Sequence, residues 1–479
     1  MTKKYITTAI PYVNAKPHIG TAMDYLYADI LARYWMQQDQ EVLVSIGTDE
    51  HGSKIANKAA KSNISAQEFV DNLQPDFENM RKEMNIDLSI IENVRTTDPE
   101  HKKRVQEIWK DLDKAGVIYK STYKGWYCEG CEAFVTENEA KTMDYICPDH
   151  NKKLEKLSEE NYYLKVSDFT EEIREFVKKA VIPEFRGKEI LELIKDGAKD
   201  VSISRPREKL SWGIEVPGDE DQVMYVWIDA LSNYLTALKY PDNDWQKSFW
   251  PPKLQIVGKD ILRFHAIIWP AILLALKIDL PKNLLAHGFI NVDGHKMSKS
   301  LGNVISPIDI IDQYSADAFR YYFARHIPTF DDGDFTWVKF EAAYNGELAN
   351  DLGNLVSRLA NMIQKYKINS NWQEQKSRIE AEKDQYYSYM NKYEFSRAIE
   401  TVWSAIQSCN KFIEETKPWQ LAKTDEVKLK KVLSTLWRDI MIIQSLLIPF
   451  LPDTADKIAQ VFDGEKVKQN MILFPKKDK

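Results

Sequence analysis

Tyr12-Val13-Asn14-Ala15-Lys16-Pro17-His18-Ile19-Gly20-Thr21 decides how the rest of the chain reads. A short apolar run, Tyr5 to Ile10, precedes it and is closed by Pro11. After it, Met23, Leu26, Tyr27, Ile30, Leu31, Tyr34 and Trp35 share one helical face. The order is strand, loop, helix. A helix N-terminus offers unpaired amides and partial positive charge, and Gly20 places no side chain between them and a phosphate. His18 stands beside it as a hydrogen-bond donor. The plain alternative is a buried βα turn, in which Pro17 sets the chain direction and His18 satisfies a nearby carbonyl.

Next along the chain, Glu41-Val42-Leu43-Val44-Ser45-Ile46-Gly47 is a buried-type strand. It runs into Thr48-Asp49-Glu50-His51-Gly52 and a helical stretch, Lys54 to Lys61. Such a βαβα start predicts a parallel sheet with its ligand crevice at the strand C-termini, where Asp49 and His51 fall. Helical patterns continue over Ala66 to Met84 and Glu100 to Ala115, with Gly116 as the stop. Much later, Leu254-Gln255-Ile256-Val257-Gly258 is another buried strand, leading into Lys259-Asp260-Ile261-Leu262-Arg263-Phe264-His265 and a helix. Ala286 to Val292 reads as the next strand, turning at Asp293-Gly294. Two nucleotide-fold halves therefore flank an insertion.

That insertion opens on an alternating, exposed-type strand, Tyr119 to Cys128. Cys128-Glu129-Gly130-Cys131 and Cys147-Pro148-Asp149-His150 each set two ligands three residues apart, so one tight turn supplies one edge of a tetrahedron. Four such ligands, Cys128, Cys131, Cys147 and His150, fill the shell of a structural zinc and leave no open position. The alternative is three free thiols and a surface histidine. Beyond the insertion, Trp227, Ala230, Leu231 and Tyr234 share an apolar, aromatic face if Trp227 opens a helix, which suits core packing or a pocket wall.

His295-Lys296-Met297-Ser298-Lys299-Ser300-Leu301-Gly302-Asn303 carries two lysines three apart with small hydroxyl residues between them. After the last strand of a nucleotide fold it makes a cationic loop suited to polyphosphate. From Leu348 the chain is helical. Leu348, Leu352, Leu355, Leu359 and Met362 form a near-heptad seam, and Phe395 to Phe412 and Leu429 to Leu447 add amphipathic helices. Asn369 to Asp384 reads as a loop, and Lys417-Pro418-Trp419 starts a helix with an aromatic ring in its first turn.

The chain has 479 residues, enough for about three domains. Its 44% hydrophobic and 29% charged content is that of a globular protein, and no apolar run suits a membrane span. A net charge of −7 argues against an indiscriminate nucleic-acid binder. No signal pattern precedes the first strand, so a cytoplasmic enzyme is expected.

With these motifs together, the chain resembles the class I aminoacyl-tRNA synthetases, and among them the methionyl-tRNA synthetases of the single-zinc form. Lys296-Met297-Ser298-Lys299-Ser300 is the second class I signature in full. His18-Ile19-Gly20-Thr21 is the first, with Thr21 where relatives usually carry a second histidine. The resemblance also runs through Gly47 to Gly52, Tyr225 to Tyr234, Gly258 to His265 and Asp351-Leu352-Gly353-Asn354-Leu355-Val356-Ser357-Arg358.

It implies an α/β fold: a Rossmann-type parallel sheet split by a zinc-bearing connective insertion and followed by an α-helical bundle. The implied boundaries are 1–116 and 223–305 for the two catalytic halves, the second with the lysine loop. The zinc-bearing insertion takes 117–222, a stem-contact linker 306–345 and the anticodon-binding bundle 346–479. The implied reaction joins methionine to ATP with release of pyrophosphate, then passes the methionyl group to tRNA(Met). The amino-acid carboxylate is itself the nucleophile, so alignment and charge stabilisation are what the protein must supply.

By position, His18, Thr21, Lys296 and Lys299 would serve catalysis. His18, Gly20, Asp260, Lys296 and Lys299 would hold ATP with its Mg²⁺, Asp260 at the ribose. Ile10, Tyr12, Asp49, Trp227, Ala230, Leu231, Tyr234, Ile261 and His265 would hold methionine, Asp49 at the α-ammonium. Many relatives have proline where Leu231 stands. Asn354, Arg358 and Trp419 would read the CAU anticodon. The insertion is too short for a separate editing domain of the kind that valine, isoleucine and leucine enzymes carry. The chain ends shortly after the bundle, which makes a monomer the expectation. Competing readings are another class I synthetase, a free-standing adenylyl transferase, or a tRNA-binding protein that has lost adenylation, the last suggested by Thr21.

Overall fold

The computed structural model describes residues 3–128, 133–148, 151–241, 249–298, 301–368, 372–464, 467 and 472–477. Two compact units emerge. The first comprises residues 1–17, 39–79 and 87–287, and the second 18–38, 80–86 and 288–479.

The first unit is built on a six-stranded sheet, with strand order Ile91–Arg95, Glu41–Thr48, Lys3–Thr8, Leu254–Gly258, Leu284–His287, Val181–Ile182. Every pairing in it is parallel, as expected for a doubly wound fold. The Glu41–Thr48 and Leu254–Gly258 strands are buried nearly throughout, which is why they read as continuous apolar runs rather than as alternation. Gly47 is required by its neighbours: a Cβ there would lie 2.2 Å from the Val94 carbonyl oxygen and 2.9 Å from Ile10 Cγ2. Between the sheet halves, Ile118–Cys128 pairs antiparallel with Glu155–Leu164 and with Ala133–Val135, forming the inserted module.

The second unit is mainly helical. Ile19–Met36 packs in it, as do Ala316–Arg325, Asn354–Lys365, Phe395–Thr416, Pro418–Thr424 and Glu426–Leu447. At its centre the buried Arg320 guanidinium donates to Asp29 Oδ2 at 2.6 Å and to the carbonyls of Met84, Pro449 and Phe450. A buried cation is tolerable only when its donors are this fully matched. No helix among the described residues is long and apolar enough to cross a membrane.

Three sequence expectations change. Ala286 to Val292 is two strands, Leu284–His287 and Ile290–Val292, which belong to different sheets. Gly288 breaks them, because the chain there meets residues 331–332 so closely that a Cβ would lie 2.1 Å from the Asp331 carbonyl oxygen. The polar stretch Asn369 to Asp384 is not all loop: a helix, Glu380–Asn391, begins inside it. Its acidic first turn complements the helix dipole, and its buried side chains, Tyr386 and Met390, come only later. In the leucine seam, Ile363 rather than Met362 takes the last buried position, downstream of the wide π-type turns of Tyr344–Gly353.

Candidate active site, metal knuckle and anticodon face

In the first unit, the residues expected at the amino-acid site lie at strand ends and on the helix Val226–Thr236. Asp49 and Tyr12 form a parallel bridge, with Val13 N–H donating to Asp49 O and Asp49 N–H to Pro11 O, both at 2.9 Å. This fixes Asp49, 7% exposed, at the mouth of the central strands. Trp227 and Tyr234 lie on the helix Val226–Thr236, together with the buried Ala230 and Leu231. The Trp227 ring stacks on Phe264 with centroids 3.7 Å apart. Leu231, Tyr234, Trp227 and Ile261 pack into one apolar cluster that also holds Ala9, next to Ile10.

His265 completes that wall in a defined protonation state. Burial pushes its pKa down to about 4, only partly opposed by the Ile261 carbonyl. Its Nδ1–H donates to Ile261 O at 3.0 Å, so the bare Nε2 accepts from the Tyr234 hydroxyl at 2.7 Å. The wall is therefore aromatic, apolar and uncharged. Asp260, exposed, follows the Leu254–Gly258 strand, and a Cβ on Gly258 would lie 2.7 Å from its Oδ1.

Sequence reasoning missed what lies behind this wall. Asp229, on the same helix, is 1% exposed and accepts from His51 Nδ1 and His101 Nε2, both at 2.7 Å. Burial by itself raises its pKa, but the His51 charge and the two histidine bonds outweigh that and hold it at about 2. Glu50, fully buried, accepts from Arg95, Thr48, Gln74 and Thr97. A lone carboxylate in the apolar run Val226-Trp227-Ile228-Asp229-Ala230-Leu231 was the available signal, since such a charge must be paired.

In the second unit the two signatures meet. Ile19 N–H donates to Ile305 O at 3.0 Å, and a Cβ on Gly20 would lie 3.4 Å from Met297 Cε. His18 is the N-cap of Ile19–Met36, and its Nδ1 accepts from Gly20 N–H at 3.1 Å. This corrects the expectation of an open Gly20 amide. With Nδ1 as acceptor, the neutral ring carries its proton on Nε2 and is a donor there; burial lowers its pKa and favours that neutral form. Lys296, exposed, lies on the strand His295–Lys296, which follows a two-residue turn at Asp293-Gly294, both at positive φ. Asn303 latches the loop, accepting from Ser298 N–H at 2.8 Å and donating to Lys296 O at 3.3 Å. Lys299 lies outside the described residues. Thr21 is half-buried in the first turn.

Cys128 ends one strand of a hairpin and pairs with Ala133; Cys147 lies in another and pairs with Lys152. Both thiols are buried in one small cluster with Val135, Ala140 and Leu154. Cys131 and His150 lie outside the described residues. Two thiols from two hairpins in one small core are donors of the kind a zinc knuckle would use, while no group of three or more metal-ligating side chains occurs among the described residues. In the bundle, Asn354 is exposed and Trp419 is 39% exposed. Arg358 donates to Glu414 at 2.6 Å, a few residues before Trp419.

Residues 4–157 and 146–360 match the family model of class I (M) tRNA synthetases, and residues 365–472 match the anticodon-binding domain of methionyl tRNA ligase. A methionine–tRNA ligase of Clostridium tetani is 40% identical, with 100% of this chain and 79% of that protein covered. One of Caldanaerobacter subterraneus subsp. tengcongensis is 38% identical, with 99% and 79% covered. The chain belongs to the methionyl-tRNA synthetase family. Among solved members, the Mycobacterium tuberculosis methionyl-tRNA synthetase bound by methionyl-adenylate superposes with a TM-score of 0.91 at 30% identity, over 99% of this chain and 100% of that one. The Rossmann-like sheet and C-terminal helices are those of this class I synthetase family.

Proposed function

We propose that this chain activates methionine with ATP and transfers it to tRNA(Met). The observation that carries the choice of amino acid is the uncharged wall of Trp227, Tyr234 and neutral His265, the Tyr234 hydroxyl standing 2.7 Å from His265 Nε2. A thioether is polarizable, unbranched and at home against aromatic rings, and a charged imidazole there would oppose its burial. Asp49 holds the α-ammonium by a charge-assisted bond, Ile10 and Tyr12 line its side, and Ala230, Leu231 and Ile261 close the rest. The methionine carboxylate attacks the α-phosphorus, an O–P bond forms, and the bond to the β-phosphate oxygen breaks as pyrophosphate leaves. The terminal ribose hydroxyl of the tRNA then attacks the methionyl carbonyl, and AMP leaves.

Lys296 and Lys299 neutralise phosphate charge, His18 Nε2–H and Thr21 donate to it, Gly20 leaves room beside them for the phosphates, and Asp260 holds the ribose. Mg²⁺ arriving with ATP shares that charge. Cys128, Cys131, Cys147 and His150 would hold one structural zinc and so brace the inserted module of Ile118–Cys128, Ala133–Val135 and Glu155–Leu164; the expected insertion, 117–222, is the wider segment, since Val181–Ile182 within it joins the main sheet. Asn354, Arg358 and Trp419 read the anticodon. Pyrophosphate exchange across the amino acids tests the reading: methionine supports exchange and leucine, valine and cysteine do not, and the reverse outcome overturns it. Metal analysis is expected to give about one zinc per chain; none overturns the knuckle. A cytoplasmic monomer is part of the same reading, and sedimentation checks the oligomeric state.

A further inference from the structure

The helix Val226–Thr236 is buried on both faces. Trp227, Ala230, Leu231 and Tyr234 form one face. On the other, Asp229 and Thr236 both meet His101: Asp229 Oδ1 lies 2.7 Å from Nε2 and Thr236 Oγ1 2.7 Å from Nδ1. The second Asp229 oxygen takes His51 Nδ1. His51 is two residues from Asp49 in the loop that follows the Glu41–Thr48 strand. The loop is held on its other side as well, because Glu50 is bonded to Arg95 and Trp212 Nε1–H donates to Glu50 O at 2.6 Å. Asp229 is thus bonded both to the loop that carries Asp49 and to His101 of the Pro99–Lys114 helix.

We infer that Asp229 is a positioning residue: it fastens the Asp49 loop to the helix carrying Trp227 and Tyr234, and so sets the distance across which methionine is held. The inference rests on the proposed amino-acid pocket. Asp229 touches no substrate. Its two oxygens fix two ring N–H groups from separate segments, and an ionised carboxylate is the side chain that accepts on both sides. An isosteric amide cannot do this, since its NH₂ would face one of the two N–H donors.

The test is steady-state pyrophosphate exchange on the full chain. Asp229→Asn is expected to raise the KM for methionine about tenfold, the loss of one charge-assisted bond, with the KM for ATP within about twofold. His51→Ala is expected to behave like Asp229→Asn. His51→Asn, whose Nδ2–H replaces the ring Nδ1–H, is expected to restore the methionine KM to within about twofold of the parent. A methionine KM unchanged in Asp229→Asn overturns the inference. So does an equal rise in both KM values, or a failure of His51→Asn to improve on His51→Ala. Absence of methionine-dependent exchange in the unmodified chain overturns the functional reading instead, and the inference with it.

Discussion

The Ile19 amide donates to the Ile305 carbonyl at 3.0 Å, joining the first signature to the chain just after the lysine loop. Gly20 is the tight point of that junction. A Cβ there would stand 3.0 Å from both Nδ1 and Cε1 of His18 and 3.4 Å from Met297 Cε. Gly20→Ala is therefore expected to tilt the His18 ring and weaken the cap bond that fixes its tautomer. Exchange rate should fall about tenfold or more, the size of a misaligned phosphate donor. Methionine binding, followed by intrinsic tryptophan fluorescence, should be unchanged. Weaker methionine binding would show that Gly20 supports more than the nucleotide side.

The Tyr234–His265 bond predicts a pH-insensitive pocket. With the imidazole held near pKa 4 by burial, the methionine KM is expected to stay level between about pH 5.5 and 8.5. Tyr234→Phe removes the donor to Nε2 and leaves a buried acceptor unmatched, at a cost of about 1–3 kcal/mol. A rise in methionine KM and a lower Tm should accompany it. A methionine KM that climbs below pH 7 in the parent protein would mean that His265 becomes charged in the working range.

How much of this was legible in advance follows from sequence distance. The signatures and the aromatic face of Val226–Thr236 are local patterns, and they could be read within a dozen residues. The capping of Gly20 by His18 is local too, but it turns on ring orientation, which residue identity does not specify. Asp229 depends on His51 and His101, brought in by a strand end and a helix far along the chain, and Glu50 on Arg95 and Gln74 likewise. Asn303 was visible in the loop, yet its latch on Ser298 and Lys296 needs the folded turn. The helix Glu380–Asn391 was obscured by its polar composition, because a first turn of Glu380 and Glu382 looks like loop until the dipole it complements is considered.

Trp419 and Arg358 predict a separation of the two half-reactions. Trp419 is exposed in the first turn of Pro418–Thr424, and the Arg358 guanidinium is held by Glu414. An exposed indole there suits stacking on an unpaired base, worth about 1–3 kcal/mol. Trp419→Ala is expected to raise the KM for tRNA about tenfold or more in charging assays and to leave methionine-dependent exchange as it was. Equal loss in both assays would assign Trp419 to the fold.

Asp317 predicts a stability change with pH. It is 2% exposed, and burial, only partly offset by the Thr454 bond and Arg320, raises its pKa to about 6. Because the folded state holds the proton more tightly than the unfolded chain, the group's destabilising effect is absent below about pH 4. It grows as pH rises to about 6, reaching about 3 kcal/mol. Thr454 N–H donates to Asp317 Oδ2 at 2.6 Å, and an asparagine oxygen accepts that bond equally well. Asp317→Asn is therefore expected to match or trail the parent at pH 4 and to exceed it by several degrees in Tm at pH 7. His265 acts with the opposite sign in the same window, since its lowered pKa makes the fold gain stability as pH rises from about 4 to 6.5. The parent's own pH curve mixes the two, so the difference between variant and parent is the quantity to measure. A difference that does not change between pH 4 and 7 would show that Asp317 titrates normally.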